Sequence, residues 1–143
     1  MSIDSFFSAL DVSASGLVAE RTRLDVVAQN LANADVTRGQ DGQPYRRREV
    51  LFQALLDDSL DRDDRSALAG VAVTDVVEDL SPFRRVLRPG HPHADAEGYV
   101  LMPNVDTAFE MVDLMMATRS YEANAAAMRS FRQMVEQTLA ILR

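Results

Sequence analysis

The chain has 143 residues and a formal net charge of −7, with 22 acidic residues against 15 Lys and Arg. The acidic balance argues against a nucleic-acid partner, because phosphate binding requires concentrated positive charge. The sequence contains no cysteine and no lysine, which excludes thiol chemistry, thiolate metal sites, disulfides and catalysis by a lysine amine.

The N-terminal segment, residues 1–38, contains no proline that would interrupt a helix. Its apolar residues recur every seven positions, which predicts a long helix over about 2–33 with a heptad-like seam. The predicted seam consists of Ile3, Phe7, Leu10, Leu17, Leu24 and Leu31. Small residues in mid-helix, among them Gly16 and Ala19, indicate that another backbone approaches closely.

The middle segment, residues 39–103, holds all five prolines and reads as short strands and turns. Four stretches favour strands: "REVLFQALL", "GVAVTDVVED", "FRRVL" and "GYVLM". They predict a small β unit that cannot bury a large core alone. The acidic run over about 57–65 lacks the glycine and final glutamate of a calcium loop, so a solvated loop is predicted. The "YRRRE" cluster at 45–49 is interpreted as a solvated strand edge.

The C-terminal segment is again free of proline after 103, which predicts a helix over 104–143 capped by Asn104. Its seam consists of Leu114, Tyr121, Met128, Phe131, Val135 and Leu142. Phe109, Val112 and Met116 form a second apolar face. This is more apolar surface than one partner helix needs.

These patterns predict an α+β fold that is mainly α. The two long terminal helices (1–38 and 104–143) pair as an antiparallel, coiled-coil-like hairpin and form a polymerisation domain, with the small β-rich region 39–103 inserted between them. Long seams and two apolar faces are typical of a subunit of a helical assembly, in which heterologous contacts that do not close produce a filament.

The stretch "GHPHADAEG" is the strongest candidate for chemistry, because His91, His93, Asp95 and Glu97 alternate. Zinc and iron sites do combine histidine with carboxylates. The surrounding prolines and glycines instead indicate a stiff turn, and the chain has no third histidine. We therefore predict no catalytic, cofactor-binding or metal-binding residue, no cofactor, and no enzyme activity.

Two segments, "SALDVSASGLVAERTRLDVVAQNLANADVT" and "PNVDTAFEMVDLMMATRSYEANAAAMRSFRQM", resemble the terminal motifs of the bacterial flagellar axial proteins, the rod and hook superfamily. "GQPYRRREVLF" and "PGHPHADAEGYVLMPNVD" narrow the resemblance to the proximal-rod protein C family. The family-motif loop comprises Gly90, His91, Pro92, Gly98, Tyr99, Pro103 and Asn104.

The resemblance implies a structural subunit of the proximal rod of the flagellar basal body, a tubular drive shaft that transmits torque. Its partners would be copies of itself and other rod proteins, near the inner-membrane ring and export gate. It would lie in the periplasmic space after type III export without a cleaved signal peptide. No nucleic acid, no small-molecule substrate and no membrane-spanning segment are expected. A coiled-coil adaptor or secretion-chaperone-like interaction protein is the alternative, which explains the heptads but not the middle region.

Overall fold

The computed structural model describes residues 3–39, 41–56 and 68–141, so the acidic run at 57–65 lies outside the described residues. The elements in chain order are α1 (Ile3–Ala32), β1 (Arg48–Leu56), β2 (Leu68–Glu78), β3 (Arg84–Leu87), β4 (Tyr99–Met102) and α2 (Thr107–Ile141). The predicted α+β class, with two long terminal helices and a few short antiparallel strands, is confirmed. Over the residues described, neither helix carries an apolar stretch long enough to cross a membrane.

The start of α2 differs from the prediction, because the helix begins at Thr107 and Asn104 does not cap it. Asp106 is the cap, since its Oδ1 accepts hydrogen bonds from the backbone N–H groups of Ala108 at 2.9 Å and Phe109 at 3.4 Å. A carboxylate at this position also interacts favourably with the helix dipole. The amide of Asn104 is occupied elsewhere, by partners described below.

The strands form two separate two-stranded antiparallel sheets, β1–β2 and β3–β4, within the region 39–103 that was predicted to be β-rich. The register of β1–β2 shifts twice, between Leu51 and Phe52 and again between Leu55 and Leu56. A two-stranded ribbon is marginal by itself. The β1–β2 ribbon is supported by α1, which both of its strands contact.

Close packing of β2 on α1 depends on small residues. Ser15 Oγ donates to the carbonyl of Val12 at 2.8 Å and accepts from the N–H of Val71 at 3.1 Å. The neighbouring Gly70 has φ +145°, and a Cβ at this position would collide with the Ser15 side chain. A larger residue at either position would push the strand away from the helix.

The contacts between α1 and α2 have an antiparallel order: a residue earlier in α1 contacts a residue later in α2. Arg23 Nη2 lies 3.2 Å from Asp113 Oδ1, and a Cβ placed on Gly16 would lie 2.8 Å from Asn124 Nδ2. Gly16, which the sequence indicated for a close approach between helices of an assembly, is thus occupied by a contact within the chain.

The buried side chains come from the second half of α1 and the turn after it, from β4, and from the start of α2 and the residues just before it. The apolar ones are few and mostly small: Ala19, Val26, Val27, Ala34, Val100, Met102, Val105 and Ala117. Two fully buried polar side chains, Asn30 and Glu110, complete the core. Buried polar groups destabilise a fold unless they are hydrogen-bonded, so the hydrogen bonds of these two residues constrain how α1 packs against α2.

Candidate functional site

Asn30 lies in the last turns of α1, fully buried, where α1 meets the start of β1 and the first turn of α2. Its Nδ2 donates to the Arg48 carbonyl at 2.8 Å and to Glu110 Oε2 at 3.0 Å. Its Oδ1 accepts from the Arg48 N–H and from the Tyr45 hydroxyl, both at 2.9 Å. All four hydrogen-bonding positions of the amide are therefore filled. We call this cluster the polar junction; it comprises Asn30, Tyr45, Arg47, Asn104 and Glu110.

Glu110 and Arg47 form the charged pair of the polar junction. Arg47 Nε donates to Glu110 Oε1 at 2.6 Å, while the Glu110 side chain is fully buried and that of Arg47 is 21% exposed. Burial acts to lower the pKa of Arg47, but the hydrogen bond and the negative charge of Glu110 outweigh it and raise that pKa above its ordinary value. Removing one partner of such a buried pair costs about 3–5 kcal/mol, because the other charge is left uncompensated.

The interpretation of "YRRRE" as a solvated strand edge is wrong for two of its three arginines. Arg47 points into the polar junction, and the guanidinium of Arg46 lies 4.3 Å from the centre of the Phe83 ring. Only Arg48 forms a typical surface ion pair, in which its Nη2 lies 3.6 Å from Oε1 of the exposed Glu78. Arg47 points inward because it pairs with the buried Glu110, which lies 63 residues later in the sequence.

Asn104 and Tyr45 connect the polar junction to the strands. Asn104 Oδ1 accepts from the Arg47 N–H at 2.8 Å, and its Nδ2 donates to the Asp79 carbonyl at 3.0 Å and to Ser81 Oγ at 2.9 Å. Burial raises the pKa of Tyr45, which favours the protonated hydroxyl that donates to α1. The segment before β1 is thereby held to α1, to α2 and to the loop after β2.

Asn30 and Glu110 were not predicted as site residues. A signal was present, because Glu110 precedes Leu114 by four residues and Ala117 by seven, which places it on the inward stripe of α2. Asn30 follows Val26 by four residues in the same way. A polar residue at an inward helical position needs a buried hydrogen-bonding partner, so the position itself indicates that such a partner exists.

The histidine stretch forms a turn whose polar side chains bond within the loop and to its neighbours. The N–H of His93 donates to Nδ1 of His91 at 3.1 Å, and His93 Nδ1 lies 2.9 Å from the Thr37 hydroxyl. Arg85 Nη2 contacts Asp95 at 2.7 Å and Glu97 at 3.4 Å. Among the described residues, no three or more His, Asp or Glu side chains are grouped so as to hold a metal ion.

The rest of the family-motif loop is held by backbone geometry and stacking. Gly98 has φ +82°, and a Cβ there would contact Pro89 at 3.3 Å. The Arg85 guanidinium lies 4.3 Å from the centre of the Tyr99 ring. The N–H of Tyr99 donates to Asp95 and, together with the Arg85 hydrogen bond, lowers the pKa of that carboxyl. Gly90 and Pro92 are exposed, whereas Pro103 is buried.

Most of the predicted seam residues whose side chains the structure describes are half-buried. Those that are half-buried are Leu10, Leu17, Leu24, Leu31, Leu114, Met128 and Phe131. Tyr121 and Val135 are each 38% exposed. The side chains of Ile3, Phe7 and Leu142 lie outside the described residues. The role of these residues as an assembly seam stays a prediction.

The first three turns of α2 carry large apolar side chains on the side turned away from α1. We call this surface the outer face; it comprises Phe109, Met111, Val112, Met115 and Met116, all about half exposed or more. Phe109 is 73% exposed. Further along the same side, the exposed residues include three alanines, Ala123, Ala126 and Ala127, together with the charged Arg119 and Glu122. Contiguous apolar patches of this kind mark interaction sites on soluble proteins.

Comparison with known proteins gives matches at both ends of the chain and over nearly its whole length. A family model described as "Flagella basal body rod protein" matches residues 10–39, and one described as "Flagellar basal body rod FlgEFG protein C-terminal" matches residues 96–141. The flagellar basal-body rod proteins FlgC of Escherichia coli O6:H1 and Salmonella typhimurium are each 44% identical over 137 residues, 96% of this chain and 98% of theirs. FlgC of Bacillus subtilis is 44% identical over 146 residues, 94% of this chain and 97% of its own.

Proposed function

The chain belongs to the FlgC family of flagellar basal-body rod proteins, and from that premise we propose that it polymerises through its terminal helices into the proximal part of the rod. It is a structural subunit of the basal body that assembles with other rod components, and it is not an enzyme. The proposal concerns how the subunit joins its neighbours and what the assembly does.

The outer face of α2 carries this proposal. A helix that is apolar on all sides is normally buried on all sides, and the start of α2 packs on α1 with one side only. Heterologous contacts, in which one surface meets a different one, generate open helical filaments. The large side chains of the outer face suit such a contact with the small-residue section around Ala123 and Ala126 of a neighbouring subunit, since alanines allow close approach.

Within one subunit, α1 and α2 are proposed to pair as an antiparallel, coiled-coil-like hairpin. The opposite order of the contacts Arg23–Asp113 and Gly16–Asn124 supports this arrangement. The half-buried leucines of the predicted seam leave part of each side chain available to a neighbour. In the assembly the paired helices would form the inner tube and the strands would face outward.

On the same premise we also propose where the subunit lies and how it arrives there. We propose that the subunit lies in the periplasmic space, next to the inner-membrane ring and export gate, that it arrives by type III export without a cleaved signal peptide, and that the tube transmits torque. The alternative of a coiled-coil adaptor has no support among the relatives, which are named as rod proteins.

The test is a double charge substitution on the outer face, Met115→Glu with Met116→Glu, expressed in bacteria that lack the chromosomal gene. Both side chains are more than half exposed, so the melting temperature of the isolated subunit should change little. Two unpaired charges buried against a neighbour should abolish swimming and leave no rod in purified basal bodies.

The matched control is Leu80→Glu, because Leu80 is the most exposed of the large apolar side chains described, at 82%, and lies in the loop after β2. This variant should swim like the unmodified protein. Normal rods in the double variant would contradict the assignment of the outer face, while loss of motility in both variants would point to a general effect of added charge.

A further inference from the structure

The two helices meet at the polar junction through polar groups where an apolar contact would be expected. From α1, the Glu110 carboxylate receives a single neutral hydrogen bond, the one from Asn30 Nδ2 at 3.0 Å. A neutral hydrogen bond does not compensate for removing a carboxylate from water. Helix α1 alone is therefore a poor partner for the start of α2.

The compensating cation comes from the segment before β1. Among the described residues, Arg47 is the only cation within ion-pair distance of Glu110. Arg23, an arginine of α1 that reaches α2, forms ion pairs with Asp113 and with Glu20. The orientation of Asn30 also depends on this segment, because two of its four hydrogen bonds go to the backbone of Arg48.

We infer that Glu110 makes the pairing of α1 and α2 conditional on correct docking of residues 45–48. With this segment in place, Arg47 compensates the charge of the Glu110 carboxylate, and the inward side of α2 packs on α1. With the segment displaced, the same packing buries an uncompensated charge, so the helices separate or shift. The β-rich part of the chain thus controls whether the helical hairpin closes. This concerns a single subunit, so its test is independent of the proposed polymerisation.

The experiment measures the distance between the helices in the isolated full-length subunit. The chain has no cysteine, so Ala28→Cys on α1 and Ala123→Cys on α2, both exposed, can carry spin labels without background. In the parent a narrow distance distribution is expected. Arg47→Met should broaden it, reduce the population at the parent distance by at least half, and lower the melting temperature by about 10 °C.

A suppressor separates this mechanism from a general loss of stability. Adding Glu110→Gln to the Arg47→Met variant removes the charge, keeps an oxygen that can accept from Asn30, and puts an NH2 group in the place of the other oxygen. The narrow distribution and most of the melting temperature should return, although the lost guanidinium is not restored. This holds even if Arg47→Met alone unfolds, because recovery of the fold is then the readout.

The matched control is Arg48→Met. It removes the neighbouring guanidinium, whose ion-pair partner is the exposed Glu78, and it leaves the backbone hydrogen bonds between residue 48 and Asn30 in place. It should retain the parent distribution. An unchanged distribution in Arg47→Met, an equal broadening in Arg48→Met, or failure of Glu110→Gln to restore pairing would each overturn the inference.

Discussion

Replacing Asn30 by aspartate keeps the shape of the side chain but turns its donor group into an oxygen. That oxygen would lie about where Nδ2 lies now, 2.8 Å from the Arg48 carbonyl and 3.0 Å from Glu110 Oε2. Two favourable contacts would become repulsive, one of them between two carboxylates in a site with no exposure to water. The new carboxyl is therefore expected to take up a proton in the folded state.

The cost can be worked out from the protonation. An aspartate has an ordinary pKa of about 3.9 and each pH unit corresponds to about 1.4 kcal/mol, so holding the proton at pH 7 costs about 4 kcal/mol. A protonated carboxyl has one O–H where the amide had two N–H groups, and the missing hydrogen bond adds about 1 kcal/mol. The free energy of unfolding should thus fall by about 5 kcal/mol at pH 7, a large share of the roughly 5–15 kcal/mol of a typical domain.

The sign of the pH dependence is the distinguishing feature. The folded-state pKa of the new carboxyl is raised above its unfolded value, so the folded variant binds more protons and its deficit grows as pH rises. Between about pH 5 and pH 7 the deficit relative to the parent should change by about 1.4 kcal/mol per unit. Urea unfolding followed by far-UV circular dichroism at several pH values measures it.

Asn33→Asp is the matched control, since Asn33 lies in the turn just after α1 and its amide donates, among the described residues, to the Gln29 carbonyl at 2.7 Å, outside the polar junction. Its effect should stay within about 1 kcal/mol and should not change with pH. A deficit for Asn30→Asp that is below about 1 kcal/mol, or that is flat between pH 5 and pH 7, would refute the account of a fully satisfied buried amide.

Two further predictions concern the helix contact and the turn. Gly16→Leu should destabilise the subunit by about 1–3 kcal/mol in thermal unfolding, because even an added Cβ would press against the Asn124 side chain. Ala28→Leu on the exposed side of α1 should be nearly neutral, and equal effects of the two substitutions would contradict the packing of α1 on α2. The pKa of Asp95 is lowered by the N–H of Tyr99 and by Arg85, so its contribution is present above the ordinary aspartate pKa and is lost as pH falls through the lower folded value. The melting temperature of Asp95→Asn should therefore lie below that of the parent near neutral pH and meet it in acid, and a gap that persists at low pH would argue against this role.

The long helices could be predicted because their signal is local. The stretches without proline and the heptad spacing of Leu10, Leu17 and Leu24 depend on residues within the same helix. The strands were found for the same reason, since β-branched runs such as the one before Glu78 are local as well. Most element boundaries agreed with the prediction to within about three residues.

The polar junction could not be predicted, because its partners are far apart in the chain. Arg47 looked like a surface residue since its partner Glu110 lies 63 residues away. The cap of α2 was misplaced for a related reason: Asn104 suits a cap by propensity, but its amide is used by β1 and the loop after β2. Local preference decides the structure only where no distant group competes for the same side chain.

The two register shifts in β1–β2 bear on how the subunit is kept from associating in unwanted ways. In the part of the chain that the structure describes, each sheet has two strands, so every strand has one edge without a strand partner, and such an edge can accept a strand from another molecule. Bulges twist such a side and break its regular spacing. The irregularities beside Phe52 and Leu55 therefore disfavour edge-to-edge pairing of the β1–β2 ribbons of free subunits, which is compatible with the proposed assembly through the helices.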